Sequence, residues 1–263
     1  MSGLTLARLA DAGAIGPIVF GLTITVLTFL EYDFMIGLGW DPVHSSDVPW
    51  PSALALGPYG YFQITNFVFF GVCLISFGFG LQRGVRASGR SSWVGPVLII
   101  MADVAMVLLG FEVEPSTSEP PQTLHGWIHT FAFIVVALSM LAAFFVLWRR
   151  LKRDSLWSGY GLYTLISGVL CAILLFISFA DFFIPGQIAF YLFLAVMLAW
   201  IEVMAIRLRS IAMDAPCGRA APAGCVTTID TREFRKCQPH ARQKEREQHP
   251  ERRQPDGRSG SRP

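Results

Sequence analysis

The chain has 263 residues, of which 53% are hydrophobic and only 15% charged, with a mean hydropathy of +0.49 and a formal net charge of +2. Soluble globular domains carry about a quarter of their residues as charges, so this is not an ordinary soluble domain, and no nucleic-acid partner is expected. The apolar residues are also gathered into long stretches, which points to a membrane protein.

Ala12–Leu30, Gly60–Gln82, Gly126–Trp148 and Ser155–Ala180 contain no Asp, Glu, Lys or Arg. Trp93–Phe111 is interrupted only by Asp103, and Gly186–Ile206 only by Glu202. Each stretch is close to the roughly 20 residues that a helix needs to cross a bilayer core. Unpaired backbone groups in lipid are too costly for open structures, which leaves helices or closed barrels. The expected fold is therefore all-α, a polytopic transmembrane bundle of six spanning helices at about 12–31, 60–82, 93–111, 126–148, 156–181 and 186–207. Residues 1–209 form the expected membrane domain, and 210–263 a disordered basic tail.

The charges are sharply partitioned. Arg8 precedes the first span; Arg83, Arg86 and Arg90 follow the second; Arg149, Arg150, Lys152 and Arg153 follow the fourth; the other 13 of the 21 basic residues lie from Arg207 onward. The first, third and fifth connections hold none. By the positive-inside rule the basic side is cytoplasmic. The chain is thus expected in the plasma membrane as a multi-pass protein with both termini in the cytoplasm.

The first span opens at Gly16-Pro17, and a proline in a first helical turn loses no hydrogen bond. Glu31 and Asp33 follow it on the outer side. In the first outer loop, Trp40, Trp50, Tyr59 and Tyr61 suit an interfacial aromatic belt, and Asp41, His44 and Asp47 form an acid–histidine cluster. Gln63 and Asn66 are polar positions near the outer end of the second span, whose Gly71, Gly78 and Gly80 permit close helix approach. The third span starts at Gly95-Pro96.

Asp103 lies eight residues before Phe111, roughly 12 Å deep at 1.5 Å per residue. A carboxylate near mid-bilayer costs about 2.5–3.5 kcal/mol on insertion scales, and such residues face the bundle interior. No basic residue lies at matching depth in any span. Asp103 is therefore expected to be protonated or hydrogen-bonded to Asn66, Thr65, Ser139, Thr164 or Ser167. A proton or ion path through it is the functional alternative.

Between the third and fourth spans runs GFEVEPSTSEPPQTLHGWIH, from Gly110 to His129. Pro115 and Pro120-Pro121 prevent it from being helical throughout, so it reads as an outer loop. Its Glu112, Glu114, His125 and His129, with Asp181 at the end of the fifth span, form a candidate outer-face polar site. His125 and His129 are spaced i, i+4, on one helix face, and imidazoles with a carboxylate can hold a divalent metal such as Zn²⁺. The structural alternative is a pair of half-wet polar caps hydrogen-bonded to loop carbonyls. HxxxH alone is common and lacks the glutamate of HExxH.

Beyond the fourth span, WRRLKRDSLW offers Trp148 and Trp157 as interfacial anchors. Glu202, near Arg207 and Arg209, is explained by snorkelling. None of the five cysteines lies in an outer loop, so no disulfide framework is expected. No cleavable signal peptide is evident. The tail is rich in Pro, Arg, Gln and Gly and lacks apolar periodicity, the composition of a disordered segment; its basic excess suits anionic lipid. Cys217, Cys225, Cys237 and His240 have spacings too irregular for a zinc motif.

LGPYGYFQITNFVFFGVCL in the second span, LLGFEVEP closing the third, TLHGWIHTFAF opening the fourth, RRLKRDSLW after it and GQIAFYLFLAVMLAWIEVMAIRLRS in the sixth follow in a characteristic order. In this pattern residues 13–209 resemble the DUF998 family of bacterial six-helix integral membrane proteins. The resemblance implies a membrane bundle and an acidic residue soon after the Gly-Phe that closes the third span, for which Glu112 and Glu114 are candidates. It implies no reaction, since the family name records an uncharacterised function.

Three functions fit these features. The leading one is a non-enzymatic membrane protein that binds or senses a lipid or other small molecule. The second is a membrane-embedded metal-dependent hydrolase, in which His125, His129 and an outer carboxylate hold a metal that activates water. The third is a small proton- or ion-coupled transporter using Asp103, against which stands the absence of clear repeats and paired broken helices.

Overall fold

The structure, a computed structural model, describes residues 3–45, 47–85, 93–180 and 183–214. These form α1 (Gly3–Leu30), the short α2 (Tyr32–Gly37), α3 (Gly60–Gly84), α4 (Val94–Leu108), α5 (Leu124–Leu151), α6 (Tyr160–Ala180) and α7 (Gly186–Asp214). Short 3₁₀ segments lie at Ser52–Leu56 and Ser155–Trp157, and no strand occurs among the described residues.

Neighbours in sequence are neighbours in space. α1 packs on α3, α3 on α4, α4 on α5, α5 on α6 and α6 on α7; α7 returns to α1, and α3 meets α7 across this ring. The core is aromatic: Phe20, Phe70, Phe77, Phe144, Trp157 and Trp200 are all at most 2% exposed. Phe144 and Trp200 meet edge to face at 4.7 Å, and Phe20 stacks on Phe70 at 4.4 Å. The outer surface is apolar as well, with Phe29, Phe131, Leu138 and Phe176 each more than 60% exposed. Soluble proteins do not present an apolar surface this continuous; helices facing acyl chains do.

Five helices are long and apolar enough to cross a membrane: Leu4–Leu30, Gly60–Gly84, Leu124–Leu151, Tyr160–Ala180 and Gly186–Asp214. The chain is a multi-pass integral membrane protein. α4 is shorter, 15 residues, or about 22 Å at 1.5 Å per residue. Its course is prolonged by turn hydrogen bonds from the amides of Leu109, Gly110 and Phe111 to Ala105, Val107 and Leu108.

Local sequence explains several boundaries. Pro120-Pro121 cannot enter a helix interior, and Thr123 then caps α5 by accepting from the Gly126 amide at 3.1 Å. Pro96 lies in the first turn of α4, where its missing amide costs nothing. Pro17 differs from expectation. α1 begins at Gly3, so Pro17 lies inside the helix rather than in its first turn. Gly13 and Gly16 precede it and rest directly on Phe77 and on Cys73 and Phe70 of α3, so this stretch of α1 is fixed by tertiary packing. At the other end, α7 continues past Arg209 to Asp214, with Ala212 1% exposed.

Two tryptophans expected at the interface belong to the core. Trp157 is 0% exposed and donates its indole hydrogen to Gly84 O at 3.2 Å; Trp40 is 4% exposed. Arg150, one of four basic residues in its stretch, is also buried. Its guanidinium donates to Gln82 Oε1 at 2.9 Å and to Val85 O at 2.8 Å, tying α5 to the end of α3. A cation at a helix C-terminus is favoured by the helix dipole. Arg207 donates to Leu156 O and lies over the Tyr160 ring, and Arg209 pairs with Asp11 at 2.7 Å. The two arginines nearest Glu202 in sequence are therefore occupied elsewhere.

Candidate functional site

One end of the bundle is built where the loop after α4 meets the start of α5. Glu114 turns back onto the helix it precedes. Its Oε1 accepts from the Thr123 hydroxyl at 2.6 Å and from the amides of Thr123 at 3.0 Å and Gln122 at 3.2 Å. Gly126 sits so close to this carboxylate that a Cβ would reach 2.5 Å from Oε1. The Thr123 hydroxyl first, and then the two amides, hold the Glu114 carboxyl below its ordinary range. The group is a helix-end anchor stabilised by the positive end of α5.

The two histidines hold backbone. His125 Nδ1 lies 3.2 Å from Glu112 O, and His129 Nδ1 lies 2.7 Å from Phe111 O. A carbonyl oxygen only accepts, so both Nδ1 atoms carry the hydrogen. The other nitrogen of His129, Nε2, is 2.9 Å from Ser52 Oγ and accepts from that hydroxyl in the neutral ring. The ring is 4% exposed and meets Phe67 edge-on at 6.2 Å. His129 therefore joins three segments: the exit of α4, the 3₁₀ segment of the first outer loop, and α5.

In this arrangement most of the candidate groups are taken up by protein partners. Both nitrogens of His129 are engaged, the Glu114 oxygen nearest the helix is saturated by three donors, and the Glu112 contact to His125 is through its backbone. No group of three or more His, Cys, Asp or Glu side chains suited to a metal occurs among the described residues. Asp181 lies outside the described residues, as do Cys217, Cys225, Cys237 and His240. The i, i+4 spacing of the histidines places their Nδ1 atoms on two adjacent carbonyls, Phe111 and Glu112.

The acidic cluster of the first outer loop likewise resolves into turns. Asp41 Oδ1 accepts from the Val43 amide at 2.7 Å and the His44 amide at 2.9 Å, and these bonds, the Val43 one foremost, hold its carboxyl low. Asp47 faces the other outer loop, taking the Ser116 hydroxyl on its carboxylate at 3.1 Å and the Thr117 amide on its carbonyl at 3.0 Å. The connection before α3 and the one after α4 are thus sewn together.

Glu31 is a further building block of this end of the bundle. It is 2% exposed, and its Oε1 accepts from the Tyr59 amide at 2.6 Å, with Gly57 pressed on the carboxylate. Its place, directly after a span and before the long first connection, was the only available signal.

Inside the bundle two polar positions stand out. Asn66 donates to Phe20 O at 3.2 Å and to Gln63 Oε1 at 3.3 Å, joining α3 to α1. Asp103 is 0% exposed, and neither of its oxygens has a hydrogen-bond partner among the described residues. Of the partners expected for it, Thr65 donates to Tyr61 O, Asn66 is turned to Phe20, and Thr164 accepts from Trp200 Nε1 at 3.1 Å.

A third feature faces the bilayer. Between α4 and α5 lies a groove of about 440 Å³ lined by Val97, Met101, Val104, Leu108, Phe131 and Val135, with Ala105 and Ala132 among the residues at its base. No polar side chain lines it.

Comparison with curated proteins and with solved structures gives no match. Residues 12–207 match the family model described as a protein of unknown function, DUF998. The chain belongs to the DUF998 family.

Proposed function

We propose that this protein is a non-enzymatic membrane protein that binds a lipid, and that the groove between α4 and α5 holds an acyl chain. The observation that carries this reading is the groove itself. Its volume of about 440 Å³ lies within the range of about 300–1,000 Å³ typical of ligand sites. Every side chain lining it is apolar, and it opens on the face where Phe131, Met101 and Val104 are exposed. An occupant must therefore be apolar along its length, and the surrounding bilayer supplies such chains. The use of His125, His129 and Glu114 as backbone anchors weighs against a hydrolase at the outer face.

In this reading α4 is the sixth crossing, both termini face the cytoplasm of a cell bounded by the plasma membrane, and the basic segment 210–263 lies near anionic lipid. Retained lipid, identified by mass spectrometry of protein purified in mild detergent, tests the groove. A defined lipid should accompany the native protein and be lost from Val104→Trp, whose indole fills the groove from its exposed rim. Lipid retained equally by both proteins, or by neither, overturns the reading.

A further inference from the structure

Asp103 sits where α3 and α4 touch backbone to backbone. A Cβ placed on Gly71 would lie 2.8 Å from the Asp103 carbonyl oxygen and 2.6 Å from Val107 Cγ2. One placed on Gly78 would lie 3.1 Å from Ile99 Cγ2, 3.2 Å from Ile100 Cγ1 and 3.5 Å from Asp103 Oδ2. One glycine contact thus lies on the Asp103 backbone and the other beside its carboxyl, which is fully buried with both oxygens unpartnered among the described residues.

No counter-charge reaches it from the helices packed on α4. α3 has no Asp, Glu, Lys, Arg or His between Gly60 and Gln82; its Tyr61 is 59% exposed, and its Cys73 lies against Gly16 of α1. α5 has no Asp, Glu, Lys or Arg between Gly126 and Trp148, and its His129 is held by Phe111 and Ser52. Arg150 is directed to Gln82 and Val85 at the far end. α4 itself carries no other titratable side chain.

A neutral carboxylic acid carries no net charge and incurs only the smaller cost of an unpaired polar group. A carboxylate costs far more, because a buried charge needs a partner or several donors. While the seam is closed, no donor among the described residues reaches either oxygen. We infer that Asp103 is an intramembrane proton-binding site that operates the α3–α4 seam. With the carboxyl O–H bond intact, the seam is closed. When that bond breaks and the proton passes to water, the seam opens to admit hydration of the anion. This inference rests on Asp103 and the glycines, and not on the lipid groove.

The test uses full-length protein in liposomes, with protons as the only ligand. Infrared difference spectra from acid to alkaline pH should show a protonated-carboxyl band that disappears on titration, shifts with ¹³C-labelled aspartate and is missing from Asp103→Asn. Over the same range, hydrogen exchange should speed up in the segments around Gly71–Gly78 and Ile99–Val107 of the native protein. In Asp103→Asn, a permanently neutral mimic, exchange there should follow only intrinsic chemistry. Gly78→Ala keeps the acid but crowds it, and should move the midpoint of the band. Absence of a titrating band from the native protein overturns the inference; so does the same pH response of exchange in native protein and Asp103→Asn. If Asp103→Asn does not accumulate, the native band and its shift in Gly78→Ala decide.

Discussion

His129 Nε2 lies 2.9 Å from Ser52 Oγ, a contact between residues 77 apart in sequence. It fastens the first outer loop to α5 while Nδ1 of the same ring fastens the exit of α4. His129→Ala strands the Phe111 carbonyl and the Ser52 hydroxyl, and a buried polar group left unpaired costs about 1–3 kcal/mol. Ser52→Ala removes only one of the two bonds and should cost less. The double variant should be less destabilised than the sum of the two, since they share a bond. Thermal unfolding in detergent measures all three, and strict additivity would contradict the shared bond.

Glu114 gives the outer layer a pH dependence of known sign. Its folded carboxyl titrates below the ordinary value of 4.5 because Thr123 and the Gln122 and Thr123 amides bind the charged form. That stabilisation is complete above pH 4.5, and is lost as pH falls below it through the folded value. Protection of the Gln122 and Thr123 amides, taken relative to their intrinsic exchange rate at each pH, should therefore fall at acid pH in the native protein. In Glu114→Gln that protection should be low at every pH. Amides that stay protected in the Gln variant would show that the carboxylate is not their anchor.

Arg150 is predicted to be irreplaceable by lysine. Its fork serves Gln82 Oε1 and Val85 O at once, which a single ammonium cannot reproduce. Arg150→Ala should cost about 1–3 kcal/mol for each acceptor stranded, with Arg150→Lys between it and the native protein. A neighbouring change, Arg149→Lys, serves as the control, since the Arg149 guanidinium lies over the Trp148 ring of its own helix at 5.5 Å. Equal stability of the Arg150→Lys variant and the native protein would refute the clamp.

Topology can be read by labelling single cysteines in intact cells. Ser118, in a connection without basic residues, should react with an impermeant thiol reagent from outside once replaced by cysteine. Ser155, exposed just after Arg149, Lys152 and Arg153, should on the same replacement react only after the membrane is opened. The reverse pattern would invert the bundle.

Gly71→Leu probes the seam between α3 and α4. The new side chain would collide with Val107 and the Asp103 backbone, and overpacking of a tight contact costs about 1–3 kcal/mol. Gly37→Leu, where nothing lies within 4 Å of the Cβ position, should be nearly silent. Comparable losses at both positions would mean that the close approach is not what Gly71 provides.

The amino-acid sequence by itself determined that this is a helical membrane protein, because lipid offers backbone groups no partner but their own helix. Runs without charge such as Gly60–Gln82 and Gly126–Trp148 were therefore legible as helices. So was the start of α5, where Pro120-Pro121 and Thr123 act locally. The burial of Asp103 also followed from its depth in an apolar run. The tasks of individual polar residues were not legible. Arg150 is indistinguishable in sequence from Arg149, yet only Arg150 is turned inward to Val85, 65 residues away. Trp157 resembles an interfacial anchor, yet it closes the end of α3 at Gly84. His125 and His129 have the spacing of metal ligands, yet the loop after α4 brings two carbonyls to them first. Periodicity and spacing report which face of a helix a residue occupies. Only packing of the whole ring decides which distant donor or acceptor that face meets, because each such bond depends on the position of another helix rather than on the residues beside it.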